Sequence, residues 1–91
     1  MGETSIIRVR YWAAARAAAG TAEDDLPVEG PLTLLEVRRR AVELHPDPRL
    51  AAVLDACSVL IGDEPVGTRP HDQVVVGPGA SVEFLPPFAG G

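Results

Sequence analysis

The chain has 91 residues, enough for one small domain with a single modest core but not for a core that also encloses a deep substrate cavity. Thirteen acidic residues face eight arginines and no lysine, and the formal charge of −5 opposes contact with the phosphates of nucleic acids and with anionic membranes. We therefore expect no nucleic acid and no membrane among its partners.

The N-terminal third predicts two strands around a short helix. Apolar residues alternate with arginines over residues 5–12, which is typical of a half-buried strand. The alanine-rich stretch 13–19 predicts a short helix, because Gly20 follows it and glycine is favoured just beyond a helix end. A second strand is predicted over residues 23–28, at a sheet edge, because Pro27 cannot donate to a strand ladder.

The main helix is predicted over residues 33–45. Thr33 and Glu36 match the capping box, in which the threonine oxygen accepts from the N3 amide and the glutamate side chain reaches back to the cap. Apolar residues then recur at helical spacing, so one stripe is expected to face the core. His45 is expected to end the helix, since the residue before Pro46 is disfavoured in the α region.

The C-terminal half predicts one short helix and three strands. Asp47-Pro48 predicts an N-cap followed by proline at the first helical position. The apolar run 57–61 predicts a buried strand, and residues 62–65 predict a turn. A small strand over 74–76 and a last strand over 81–85 complete the series.

This order of elements predicts an α+β fold of the ubiquitin-like β-grasp type, a mixed sheet with one main helix packed across it. In such a fold the first and last strands lie side by side in the centre of the sheet. We find no linker or repeat, so residues 1–91 are expected to form a single domain. Residues 86–91 are expected to project from it as a flexible C-terminal tail.

The end of the chain carries the strongest chemical signal. Glycine has no Cβ, so the terminal Gly90-Gly91 pair can pass through a narrow channel and bring its carboxylate to a reaction partner. Two prolines precede it and hold the backbone near the polyproline II region, which favours projection. Gly91 is the predicted reaction centre. The predicted partner-binding residues are Phe84, Pro86, Pro87, Phe88, Ala89 and Gly90.

Other reactive side chains have simpler explanations. Cys57 lies in an apolar run with no cation near it in sequence, which favours a structural role. The arginines of 38–40 fan over about 200° of a helix and favour a solvated face over a nucleic-acid patch. His45 and His71 lack the spacing of metal ligands, so no metal site is expected.

Two segments resemble the MoaD/ThiS sulfur carriers: Val-Arg-Tyr-Trp-Ala-Ala-Ala-Arg at 9–16 and Phe-Leu-Pro-Pro-Phe-Ala-Gly-Gly at 84–91. They lie at the two ends, so the resemblance covers essentially the whole chain, and it is strongest to the small subunits of molybdopterin synthase. It implies that Gly91 is adenylated and then converted to a thiocarboxylate that donates sulfur for molybdenum cofactor biosynthesis.

The same resemblance implies the partners. An E1-like adenylating enzyme of the MoeB/ThiF type would use ATP and magnesium, a second enzyme would donate sulfur, and the large subunit of the synthase would supply the catalytic pocket. The chain itself would be a non-catalytic subunit with no bound cofactor. Alternatives remain open: a carrier for thiamine, cysteine or another thio-metabolite, a ubiquitin-like protein modifier, or a β-grasp binding module without tail chemistry.

The expected compartment is the cytoplasm. A single cysteine permits no intramolecular disulfide, and the polar N-terminal residues lack the apolar segment of a secretory signal.

Overall fold

The computed structural model describes residues 5–87, so the predictions for Phe88, Ala89, Gly90 and Gly91 lie outside the described residues. The strands are β1 (Ser5–Tyr11), β2 (Glu23–Val28), β3 (Leu32–Thr33), β4 (Ser58–Ile61), β5 (Glu64–Pro65), β6 (Val75–Val76) and β7 (Ser81–Leu85). The helices are α1 (Ala13–Ala19), α2 (Leu34–Glu43) and α3 (Arg49–Ala56). Within residues 5–87, no helix has the length and apolarity needed to cross a bilayer.

The main sheet has five strands in the order β2-β1-β7-β4-β5, and a small second sheet pairs β3 with β6. In the centre, β1 and β7 are parallel, with Tyr11 opposite Phe84 at the end of their ladder. Both flanks of this pair are antiparallel. A parallel pair requires a long crossover, and here the helices and the remaining strands form it. The predicted β-grasp arrangement, with the first and last strands in the centre, is confirmed.

Only one of the two hydrogen bonds of the predicted capping box is present at the start of α2. The Thr33 hydroxyl accepts a hydrogen bond from the Glu36 backbone amide at 3.1 Å. The Glu36 carboxylate pairs instead with Arg39 at 2.6 Å and with Arg40 at 2.9 Å. Two charged partners outcompete a single backbone amide, because hydrogen bonds between ions are stronger than those to neutral groups. The helix ends at Glu43, two residues before the predicted end.

The short helix α3 begins at Arg49, slightly later than predicted. Pro48 occupies the N-cap position, and Asp47 lies one residue before it. The Asp47 carboxylate nevertheless accepts from the Arg49 backbone amide at 2.9 Å, so it satisfies one of the unpaired amides at the helix start. The predicted capping role of Asp47 is therefore retained although the boundary moves.

One apolar core lies between the main sheet and the helices. No polar or charged residue is buried among the described residues, so the core has no internal polar site. Fully buried side chains of the central strands meet those of α2 and α3. The largest of them are Tyr11, Phe84, Ile7, Leu34, Leu50, Leu54, Val9, Val37, Val76 and Val82.

Two short strands depart from the predicted elements. Residues 64 and 65 were predicted to belong to a turn, but they form β5 and pair with Ile61 and Leu60 of β4. Residues 32 and 33 form β3, which pairs with β6 immediately before α2. Neither of these two strands shows alternation or an apolar run in the sequence, so only its partner across the sheet reveals it.

The Glu36 cluster predicts a pH dependence of stability. Hydrogen bonds from Arg39 and then Arg40 lower the pKa of Glu36 to about 2, from an ordinary value of 4.5. A carboxylate with a lowered folded-state pKa stabilises the fold above its unfolded pKa, and this contribution is lost as the pH falls toward 2. We expect the thermal unfolding midpoint to drop over this range, and to drop less in Glu36→Gln.

Thermal unfolding followed by circular dichroism at a series of pH values measures this effect. Part of the acid sensitivity should persist in Glu36→Gln, because Arg49 likewise lowers the pKa of Asp47 to about 2. Parallel curves for the variant and the wild-type chain would contradict the role assigned to Glu36.

Candidate functional site at the end of the last strand

The last strand, β7, carries the chain to the predicted reaction centre from the middle of the sheet. Its neighbours hold it on both sides, with β1 parallel and β4 antiparallel, and Ser58 of β4 lies opposite Leu85. Beyond Leu85 the chain leaves the sheet through Pro86 and Pro87. The predicted centre at Gly91 lies four residues past the end of the described part and stays a prediction.

Phe84 is a core residue, which corrects the prediction that it contacts a partner. Its side chain is fully buried. Its ring stacks on that of Tyr11, with the ring centres 6.4 Å apart and the planes 15° from parallel. A residue so placed is inaccessible in the folded domain, so it anchors the strand that precedes the tail.

The prolines lie beside a groove of about 490 Å³ that is open to solvent. Pro86 is half-buried and Pro87 is exposed. The groove is lined by Pro86, Pro87, Leu85, Leu60, Pro65 and Cys57, among others. This placement leaves the two prolines accessible, and their contact with a partner stays a prediction.

Trp12, which follows β1, and Glu83 of β7 were not among the predicted site residues, although they contact each other beside the C-terminal half of β7. Trp12 is 42% exposed, and its indole N–H donates to the Glu83 carboxylate at 2.9 Å. The Arg10 guanidinium lies over the indole ring, 5.5 Å from the ring centre. The period-two pattern of β7 places Glu83 outward, but it gives no sign that Trp12 is its partner.

A second polar contact holds Tyr11, the last residue of β1, on its side chain. The Tyr11 hydroxyl donates to the Asp24 carboxylate at 2.8 Å, and the same carboxylate oxygen pairs with His45. Burial, followed by the bond to Asp24, raises the pKa of Tyr11. The contact joins β1 and β2 to the segment that follows α2, so Tyr11 is held at both its ring and its hydroxyl.

Cys57 has the surroundings of a structural cysteine. It is half-buried, and its thiol donates to the Val53 carbonyl at 3.2 Å. Burial raises the pKa of the thiol to about 11, although the positive charge of Arg38 acts in the opposite direction. Near neutral pH the group is therefore a protonated thiol, which is a poor nucleophile.

The three arginines of α2 form hydrogen bonds with other side chains of this domain. Arg39 and Arg40 are paired with Glu36, while Arg38 points elsewhere and donates to Asp55 at 3.2 Å and to His71 at 3.1 Å. The three side chains thus form no single cationic patch. In the part of the chain that the structure describes, no three His, Cys, Asp or Glu side chains come together to hold a metal ion.

The sequence matches no protein-family model. It is 30% identical over 91 residues to a protein of Aspergillus niger described as a molybdopterin synthase sulfur carrier subunit, and the alignment covers all of both chains. Solved structures share the fold as well, and two of them are SAMP1 and Urm1. SAMP1 from Haloferax volcanii has a TM-score of 0.78 at 20% identity, and the match covers 94% of this chain and 99% of the SAMP1 chain.

Urm1 from Trypanosoma brucei has a TM-score of 0.75 at 18% identity and covers 100% of both chains. At these identities the solved structures establish the fold alone. The Aspergillus niger protein, which matches over its full length, establishes the family.

Proposed function

The chain belongs to the family of molybdopterin synthase sulfur carrier subunits, and from this membership we propose that it carries sulfur as a thiocarboxylate on Gly91 and donates it for molybdopterin synthesis. The observation that carries the proposal is the match to the Aspergillus niger subunit over the whole of both chains. The terminal diglycine of the sequence supplies the carboxylate that such chemistry requires.

The architecture supports a carrier role over an enzymatic one. The larger clefts of the described residues are open to solvent, whereas an active site usually encloses its substrate. The last strand lies in the centre of the sheet, so its neighbours anchor the chain up to Leu85. A firmly anchored strand followed by a chain terminus suits the delivery of a reactive group into the pocket of another protein.

Activation requires a second protein. An oxygen of the Gly91 carboxylate attacks the α-phosphorus of ATP, pyrophosphate leaves, and a glycyl adenylate forms. An E1-like adenylating enzyme would provide the nucleotide site, with magnesium to balance the phosphate charge. A sulfur donor then supplies sulfur at the oxidation level of sulfide. That sulfur bonds to the carbonyl carbon, AMP leaves with the electrons of the broken C–O bond, and the thiocarboxylate remains.

Donation requires a third protein. The thiocarboxylate sulfur adds to an electrophilic carbon of the pterin precursor inside the large subunit of the synthase, and the electron pair of the carbon–oxygen bond that breaks there moves to the oxygen, which takes up a proton. Water then attacks the Gly91 carbonyl carbon, the carbon–sulfur bond to the carrier breaks, and the carboxylate is restored. The pocket, the acid and base groups and the charge stabilisation belong to the large subunit.

Intact-mass measurement tests the proposal. After incubation with an adenylating enzyme of this type, ATP, magnesium and a sulfur donor, we expect a gain equal to one exchange of oxygen for sulfur, located on Gly91 by fragmentation. Cys57→Ser is the matched control, because it removes the other atom that could hold sulfur. The proposal fails if the wild-type chain gains no mass under conditions that convert another carrier, or if Cys57→Ser removes the gain.

The same reaction separates the alternatives. Reconstitution of the thiocarboxylated chain with the large subunit and the pterin precursor should yield the dithiolene product, whereas a thiamine or cysteine carrier would react only with its own acceptor. A protein modifier would appear as an adduct on a lysine of another protein. This chain has no lysine, so its own copies offer no such side chain.

A further inference from the structure

A cleft of about 360 Å³ lies where α2 begins, and it is open to solvent. The Leu35 amide donates to the His71 carbonyl at 3.0 Å, which joins the start of α2 to the segment after β5. The ten residues of α2 span about 15 Å, and His45, just beyond them, contacts Tyr11 near the end of β7. The cleft is therefore remote from the point where the chain leaves the sheet.

The polar side chains of this cleft are two arginines, one histidine and two aspartates: Arg38, Arg69, His71, Asp55 and Asp72. Arg38 is a largely buried cation, with its side chain 18% exposed and its Nε atom buried without a hydrogen-bond partner among residues 5–87. Asp55 pairs with it at 3.2 Å but is 78% exposed, and ion pairs in contact with water contribute little. A better-shielded carboxylate would therefore be a stronger partner for Arg38 than Asp55 is.

Arg69 presents a second cation to the same cleft. Its Nε donates to the Val66 carbonyl at 2.9 Å and its Nη2 to the Pro65 carbonyl at 3.1 Å. These carbonyls orient the guanidinium without neutralising its charge, and none of the ion pairs among residues 5–87 includes Arg69. A guanidinium fixed in this way loses little freedom when an anion binds, and its remaining N–H groups suit a carboxylate.

His71 adds an uncharged donor. Its Nδ1 lies 3.1 Å from Nη1 of Arg38. A guanidinium can only donate, so Nδ1 is the acceptor and the proton of the neutral ring is on Nε2. Burial, followed by the positive charge of Arg38, lowers the pKa of His71, although Asp55 acts in the opposite direction. Near neutral pH His71 therefore adds a donor to the cleft without adding a charge.

The two aspartates restrict what the cleft can bind. With His71 neutral, Asp55 and Asp72 balance the charges of the two arginines, so the net field attracts a freely diffusing anion only weakly. An anion that other contacts bring to the cleft is not restricted in this way. A carboxylate carried by a protein segment meets that condition, because apolar neighbours in the segment can supply the other contacts.

Exposed apolar side chains flank the two arginines. Leu35, 47% exposed, lines the cleft itself. Arg69 and Pro70 also line a neighbouring cleft of about 490 Å³, which Val75, 66% exposed, borders on the other side. Leu35 and Val75 are two of the four large hydrophobic residues that are exposed among the described residues. Their position beside Arg69 fits a partner that combines apolar side chains with a negative charge.

We propose that Leu35, Arg38, Arg69 and Val75 form a docking surface for a segment of a partner protein in which one carboxylate stands among apolar residues. The carboxylate replaces Asp55 on Arg38 and contacts Arg69, and the apolar residues cover Leu35 and Val75. Since the whole chain carries a net charge of −5, a strongly acidic segment would be repelled, and the surface selects one with a single charge. Docking here goes beyond the proposed function and leaves the end of β7 free.

A titration of the isotope-labelled full chain, followed by NMR, tests the surface. The probe is the peptide acetyl-Leu-Glu-Leu-amide, and acetyl-Leu-Gln-Leu-amide is the uncharged control of the same size. We expect the glutamate peptide to shift the amide signals of residues 35–38 and 69–75 and to bind about tenfold more tightly, because it gains a charge-assisted pair with arginine. Arg69→Gln should remove this advantage. Arg8→Gln, which removes an arginine paired with Asp25 on the main sheet, should keep it.

The competition with Asp55 supplies a test in which the affinity rises. Asp55→Asn frees Arg38 and should strengthen binding of the glutamate peptide up to about fivefold. Asp72→Asn is the matched control, because it removes an equal charge from the cleft without freeing Arg38, and it should give a smaller gain. In the Arg38→Gln background the gain from Asp55→Asn should disappear. Partial unfolding cannot raise an affinity, so the single Asp55→Asn variant decides the matter even if the arginine variants are unstable.

Three results would overturn the inference. They are equal affinity for the two peptides, signal shifts confined to the outer face of the main sheet, and a gain from Asp55→Asn that persists in Arg38→Gln. Inorganic phosphate is the remaining probe, and we expect it to bind more weakly than the glutamate peptide. Phosphate binding of equal or greater strength at the same amides would identify a site for free anions and also overturn the inference. None of these measurements involves Gly91, so their outcome is independent of the sulfur chemistry.

Discussion

Deletion of Gly91 is expected to lower sulfur loading more than a hundredfold and to leave the domain folded. The truncated chain still ends in a glycine carboxylate, but that carboxylate lies about 3.5 Å short of its place. Since the partner holds the nucleotide in a fixed position, a shortfall of this size removes the near-attack geometry. Loading is measured by intact mass, and folding by thermal unfolding.

The chain with one extra glycine after Gly91 is the matched variant. It carries the same terminal group displaced in the opposite direction, and we expect it to load as poorly as the truncated chain. Unfolding midpoints should agree among all three proteins, because Phe84 is the last buried residue in the part of the chain that the structure describes. If the truncated chain loads sulfur at the wild-type rate, the position of Gly91 has no role in the reaction and the assignment of the centre is wrong.

Replacement of Phe84 by alanine is expected to have the largest effect on the fold. Truncation of a fully buried phenylalanine costs about 3–5 kcal/mol, since apolar contacts are lost and a cavity remains. A small domain has about 5–15 kcal/mol of stability in total. We therefore expect a large drop in the denaturant midpoint of Phe84→Ala, with loss of sulfur loading as a consequence of unfolding.

Phe84→Leu is the matched control, because it keeps most of the buried volume and should lose much less stability. The pair also tests whether Phe84 belongs to the core. If Phe84→Ala kept the wild-type midpoint and only weakened the binding of a partner, Phe84 would be the contact residue that the sequence suggested, and its burial in the core would not matter.

Sequence patterns located most of the fold because they depend on neighbours along the chain. The alternation over residues 5–12, the Thr33 cap and Pro46 each act within a few residues of themselves, so their effects can be predicted without tertiary structure. The short strands β3 and β5 were missed because neither contains an apolar run, whereas the run of valines at 74–76 predicted the equally short β6. The Glu36 carboxylate was misassigned because two arginines on its own helix compete for it.

The sequence predicted some residues of the candidate site but misassigned Phe84. The diglycine and the prolines are visible in the sequence, and the chemistry assigned to them stays a prediction. Phe84 was assigned to the partner-binding set, although the alternation of β7 already places it inward with Val82. Cys57 has no cationic neighbour in sequence, and the fold brings Arg38 near it in space. Burial nevertheless dominates its pKa, so the structural role stands.

The sequence alone determined the fold class and predicted the chemistry of Gly91, because periodicity, caps and residue types are local properties. Tertiary structure decided which residues surround the end of β7. Trp12 and Glu83 are 71 residues apart, and they meet only because β1 and β7 are parallel neighbours with a fixed register. Strand register is set by the packing of the whole core, so no short segment could reveal that contact at the base of the tail.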